Sequence, residues 1–293
     1  MPLDSFVIAL VLMAAVMHAS WNALVKSGRD KTAMLVLVIT ASSIPAMAML
    51  PFVPPPDPAA WPYLAASTAI HFVYYLTLVS AYRHGDLSQA YPIARGSSPV
   101  IVAVGAWLLA GESQGLLQIL GIAIASAGII SLAGSVGVRN GKLAWNGSGR
   151  DGEGKSIAFA FATSVAIAFY TLMDGLGVRS TADPMSYILW LLALEGPLMV
   201  AAGLWLRRGR LVESYRPVIG KGIVGGLVAG LGYGIVIWAM NHVPMAHVSM
   251  LRETSVILAA AIGALFLGEP FGARRIAAAA LVAAGNALLH LQL

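Results

Sequence analysis

The 293-residue chain contains no cysteine. That excludes disulfides, thiolate metal sites and a cysteine nucleophile. Charge is scarce too: Asp, Glu, Lys and Arg together make up 11% of the chain, and an ordinary soluble domain carries roughly twice that share. Also missing are the H-E-x-x-H of a zinc-dependent protease and the G-x-S-x-G turn of a serine hydrolase. The six histidines are scattered, with no ligand spacing. No catalytic residue, metal or cofactor is therefore expected, and the chain is not read as an enzyme.

Apolar residues fill the space. They make up 58% of the chain, with a mean hydropathy of +0.80. A bilayer core of ~30 Å needs about 20 apolar residues per helix. Such runs lie at approximately 4–25, 33–53, 60–82, 87–110, 115–134, 156–174, 186–206, 221–241, 246–267 and 272–291. An all-α membrane protein of ten spans is expected. The first run follows "MPLDS", with no basic n-region and no A-x-A cleavage site, so it is read as a retained helix. "PFVPPPDP" (51–58) ends the second run, because consecutive prolines cannot continue a helix. "SVGVRNGKLAWNGSGRDGEGKS" (135–156) is the longest polar stretch and reads as a flexible linker.

Loop charges set the orientation. Fifteen of the eighteen Lys and Arg residues fall in odd-numbered loops, and the even loops and termini hold only Arg179. The odd loops, including the linker, are expected in the cytoplasm and both termini outside. The net charge of +5 is explained by this topology, so nucleic acid is not expected as a partner.

The two remaining cations, Arg95 and Arg252, lie inside apolar runs, and each precedes a Gly-Glu pair by the same distance. Comparing residues 81–112 with 239–269, His84 meets His242, Arg95 meets Arg252 and Glu112 meets Glu269; further on, Gly128 meets Gly285. The chain thus reads as a first repeat (1–134), a cytoplasmic linker (135–155) and a second repeat (156–293). Five helices per repeat is an odd number, so the second repeat must enter the membrane inverted. The charges agree: the loop after the first span is basic and its counterpart holds one Arg, whereas the loop after the seventh holds five basic residues and its counterpart none. Inverted repeats are a transporter signature, with the binding site near the midplane between them.

On these residues the chain resembles the EamA family of the drug/metabolite transporter superfamily. The resemblance rests on ten spans in two five-helix repeats, and on fourth helices closing with "LLAGE" (108–112) and "LFLGE" (265–269) before a Gly-containing fifth helix. It implies a multi-pass transporter of the cell (inner) membrane that exports amino acids and related metabolites. The overall pattern is similar to a YddG-type aromatic amino-acid exporter. Small multidrug-resistance relatives couple transport through a glutamate in the first helix; "FVIALVLMAAVMHASWNALV" has no acid, so proton antiport of that type is not expected.

The expected partners are an amino-acid-like small molecule and the lipid bilayer, for a chain working as a monomer. Multidrug or other metabolite export is the alternative, with a channel or receptor behind it. Charges inside a span face an interior cavity, pair there, or snorkel outward. Arg95, between Pro92 and Pro99 and with Tyr91 and Ser98 at helical spacing, is preferred over Arg252 as the carboxylate donor. Glu112 and Glu269 read as structural turns, favoured at a helix N-terminus. His71, Tyr75, Leu78 and Tyr82 share one face of the third span, either as packing or as a cavity wall. His18, Trp21 and Asn22 share a face of the first, suited to interhelical bonds or substrate contact. Glu195 is either a buried partner for Arg or His, or a proton site. Asp174, Tyr170, Trp190, Trp238 and Tyr233 are weaker candidates.

Overall fold

The computed structural model describes residues 5–28, 30–84, 93–131, 135–139, 142–146, 153–207, 218–258, 261 and 273–290. Within them run α1 (Ser5–Ser27), α2 (Lys31–Met49), α3 (Trp61–His84), α4 (Ser98–Ala110) and α5 (Leu116–Ser131). After the linker come α6 (Glu153–Arg179), α7 (Pro184–Arg207), α8 (Ile219–Met240), α9 (Met245–Arg252) and α10 (Ala273–His290). A helical turn at 93–96, carrying Arg95, leads into α4.

Local chemistry sets several of these boundaries. Asp30 caps α2, its carboxylate accepting the Ala33 N–H at 3.1 Å. Asp183 accepts the Met185 N–H at 2.9 Å where α7 begins, with Pro184 at its first position. Pro45 and Pro197 lie inside α2 and α7, each removing one donor from the helical ladder. The α4 helix stops at Gly111, whose φ of 67° is the left-handed conformation glycine adopts freely.

Among the described residues, seven helices are long and apolar enough to cross a membrane: α1, α2, α3, α4 with its leading turn, α6, α7 and α8. The α5 and α10 helices are apolar but shorter. The α9 helix covers eight residues and breaks at Glu253; most of the rest of the expected ninth span lies outside the described residues. The linker differs from the flexible segment expected from its composition. It carries an antiparallel hairpin of β1 (Ser135–Arg139) and β2 (Lys142–Asn146), with Arg139 opposite Lys142. Asn140-Gly141 between these strands is the sequence signal for such a hairpin.

The largest helix contacts follow a simple rule. The α1 helix packs on α8 and α3 on α6; α4 meets α6 and α9 meets α1; α2 meets α8 and α3 meets α7. Moving each helix five places along the order turns the first member of each couple into the second. The pairs α2/α7, α4/α9 and α5/α10 map onto themselves.

The α5/α10 contact gives the direction. A Cβ on Gly121 would lie 2.6 Å from the Gly285 carbonyl and 3.2 Å from Leu288 Cβ. One on Gly128 would lie 2.7 Å from Leu281 Cβ and 3.2 Å from the Ala278 carbonyl. Rising numbers on α5 meet falling numbers on α10, so the two helices are antiparallel. Arg95 and Arg252 are 157 positions apart, as are Gly121 and Ala278, and Gly128 and Gly285. The same offset therefore exchanges the two glycine contacts.

Polarity is inside out relative to a water-soluble protein. Trp107, Leu108, Phe161, Trp205 and Leu231 are exposed, while Arg95, Asp174, Glu195, Arg252 and Glu253 are buried. An apolar exterior suits contact with lipid, and interior charges are the costly feature that requires a reason.

Candidate functional site

The third-span stripe supplies the first wall of the polar interior. His71 and Tyr75 are buried on α3. The His71 ring stacks on Tyr170 of α6, with centroids 3.9 Å apart and planes at 21°. Its Nδ1 lies 3.0 Å from the Ser67 carbonyl, an acceptor only, so the ring proton sits on that nitrogen. The same atom lies 3.4 Å from a carboxylate oxygen of Glu195 on α7. Tyr75 donates its hydroxyl to the other Glu195 oxygen at 3.3 Å. Glu195 is thus a buried partner of a histidine and a tyrosine. Its neighbour Gly196 makes this approach possible, because a Cβ there would meet Ser43 of α2.

A second acid closes the other side. Asp174 of α6 is fully buried and accepts hydroxyl hydrogens from Tyr187 of α7 at 3.1 Å and from Tyr233 of α8. Tyr233 in turn stands edge-on to His71, with centroids 5.5 Å apart. The result is a continuous run from Glu195 through His71, Tyr170 and Tyr233 to Asp174. Its members come from α3 in the first half and from α6, α7 and α8 in the second.

The interior also holds a charge cluster. Arg95 donates from Nε to Glu253 at 2.9 Å, with side chains 2% and 0% exposed. Arg252 is equally buried at 2%, so neither arginine snorkels to the surface. Arg252 Nε approaches the other Glu253 oxygen only to 4.0 Å, too far for a hydrogen bond.

The other expected site residues fall differently. Ser98 donates to the Arg95 carbonyl at 3.1 Å, not to a ligand-facing group. Trp21 donates to His18 Nδ1 at 3.2 Å and Asn22 to the His18 carbonyl at 2.7 Å. Both bonds stay within α1, where interhelical or substrate contacts were expected. Tyr91 and the side chain of Tyr82 lie outside the described residues, as does Glu269. Asp174 proves as central as Glu195. Glu253 was passed over, although a second charge directly after Arg252 in an apolar run was a legible signal.

Gly111-Glu112 forms a turn, the Glu112 N–H closing on the Ala106 carbonyl at 3.1 Å. The carboxylate caps a helix, but not the one that follows it. It accepts the Met245 N–H of α9 at 2.9 Å and Arg179 Nη1 of α6 at 2.7 Å. Arg179 also donates to the Met240 and Val243 carbonyls at 2.7 and 3.0 Å. One arginine thereby ties together the ends of α4, α6 and α8.

An apolar-surfaced helical bundle of several spans, with charged groups held in its interior, defines a multi-pass membrane protein. Its sequence matches the EamA-like transporter family over residues 5–134 and again over 154–291. The chain belongs to that family, whose members are membrane transporters of small metabolites and not enzymes. The fold is similar to that of a solved protein described only as a crystal structure of a protein, with a TM-score of 0.73 and 16% identity over 98% of this chain and 99% of that one. At that identity the likeness is one of fold. No curated protein matches the chain.

Proposed function

We propose that this transporter exports amino-acid-like metabolites, with an aromatic or other neutral side chain, by alternating access. The observation that carries the reading is the buried run of Glu195, His71, Tyr170, Tyr233 and Asp174, built where the first half meets the second. Ionisable groups inside a membrane bundle mark substrate or ion paths. Aromatic faces suit a neutral side chain, and a carboxylate of Asp174 or Glu195 suits an ammonium.

In this reading the chain crosses a cell's inner membrane ten times, as two five-helix halves of opposite orientation with both termini outside. The exchange pattern of helix contacts and the antiparallel α5/α10 pair support it. Rocking one half against the other opens the site to each side in turn. An impermeant maleimide on intact cells is expected to label a cysteine at exposed Ala182 and spare one at exposed Gly154. The reverse pattern overturns the orientation.

Without an acid in α1, transport is expected to be facilitated or weakly coupled. Liposomes with no gradient, carrying the purified protein and a panel of labelled amino acids, are expected to show saturable uptake and counterflow. Flux that never saturates points to a channel, and uptake of apolar cations in place of amino acids points to drug export.

A further inference from the structure

The two arginines inside the membrane occupy matching places in the two halves but do not have matching partners. "ARGSS" (94–98) aligns with "LRETS" (251–255), so Arg95 corresponds to Arg252 and Glu253 corresponds to Gly96. Arg95 is paired with Glu253 of the opposite half. The equivalent partner for Arg252 would be an acid at position 96, and the chain has glycine there. Nor is there room for one: a Cβ at Gly96 would lie 2.8 Å from Ile130 Cγ1 and 3.1 Å from Ile129 Cγ2.

Arg252 shows the consequence. Its Nε and Nη2 are buried and have no hydrogen-bond partner among the described residues. The hydroxyls of Ser249 and Ser255, three positions to either side, are buried and equally unpartnered there. A guanidinium with idle donors, flanked by two idle hydroxyls, is costly unless something accepts from them. The charges name what is missing. Arg95 has Glu253, whereas Arg252 has no carboxylate within hydrogen-bond distance among the described residues, and one substrate carboxylate supplies it.

We infer that Arg252, with Ser249 and Ser255, is the anchor for the substrate's carboxylate, which takes the place of the acid that the repeat lacks at position 96. This rests on the reading above that the substrate resembles an amino acid. It reverses the preference for Arg95, whose Nε is already committed to Glu253. Arg252 also acts electrostatically on His71, Tyr170, Asp174 and Tyr233, so the anchor lies within electrostatic reach of the groups proposed to hold the rest of the molecule.

The experiment uses purified full-length protein and measures ligand-induced thermal stabilisation and counterflow. The probes are L-phenylalanine, L-leucine, their amides, and hydrocinnamate, which keeps a carboxylate without an ammonium. Wild type is expected to prefer each amino acid to its amide by at least about tenfold, since a buried guanidinium–carboxylate contact is a strong charge-assisted pair. Arg252→Gln is expected to lose that preference, Arg252→Lys to keep part of it. Equal binding of acid and amide by wild type overturns the anchor without needing any variant to fold, as does a folded Arg252→Gln that keeps the preference. If hydrocinnamate binds in an Arg252-dependent way and neither amino acid does, the anchor stands and the amino-acid reading falls. If no carboxylate binds, both fall.

Discussion

Arg95 and Glu253 stand 158 positions apart in sequence and 2.9 Å apart in space. Each comes from a different half of the chain, and each offsets the charge of the other at its depth. Breaking a buried pair costs more than the pair contributes, because a lone charge is left behind.

Glu253→Ala is therefore expected to lower stability by about 3–5 kcal/mol, the range for orphaning a buried partner. Arg95→Ala is expected to be comparably harmful, although a cavity-facing arginine would be removable with little effect on folding. The Arg95→Ala, Glu253→Ala double variant should lose less than the sum of the singles. Thermal unfolding in detergent measures all three; strictly additive losses would show that the pair is not coupled.

Close approach of α5 and α10 rests on glycine. Gly121→Val and Gly285→Val drive a side chain into the facing backbone, which cannot rotate away. Each is expected to cost on the order of 1–3 kcal/mol, as overpacking does. Gly220→Ala, with nothing within 4 Å of the added carbon, serves as the control and should be neutral. Equal behaviour of Gly285→Val and Gly220→Ala in unfolding scans would contradict the packing.

The Arg179 fork closes one end of the bundle. Because its pair with Glu112 is partly exposed, the loss of stability in Arg179→Ala should be small, while the tie between α4, α6 and α8 is cut. A cysteine placed at buried Ala239 has no native thiol competing with it. It should react with maleimide faster in the Arg179→Ala background than with Arg179 intact. An unchanged rate would mean that the fork does not restrict access.

Tyr75→Phe removes the hydroxyl that holds Glu195 and little else. Stability is expected to fall by roughly 1 kcal/mol, whereas transport should slow markedly if the carboxylate must stay oriented. Glu195→Gln tests the same point from the acid's side. Wild-type counterflow rates in both variants would make the cluster a structural one.

Sequence alone determined the class. Apolar runs of bilayer length, basic residues gathered in alternate loops, and a repeated Arg, Gly-Glu and Gly at constant offset follow from local composition and period, which need no coordinates. They led to the family and to the residues Arg95, Arg252, His71, Tyr75 and Glu195. What only the tertiary structure decided is who meets whom. His71 reaches Glu195 on another helix, and Asp174 gathers two tyrosines from two more. The matched arginines differ because one of them finds Glu253. Pairing between helices depends on their facing and depth, and helical periodicity within a single span carries no record of either. Local sequence could therefore favour Arg95 over Arg252, but only the neighbours in place showed that Arg95 is the one paired with Glu253.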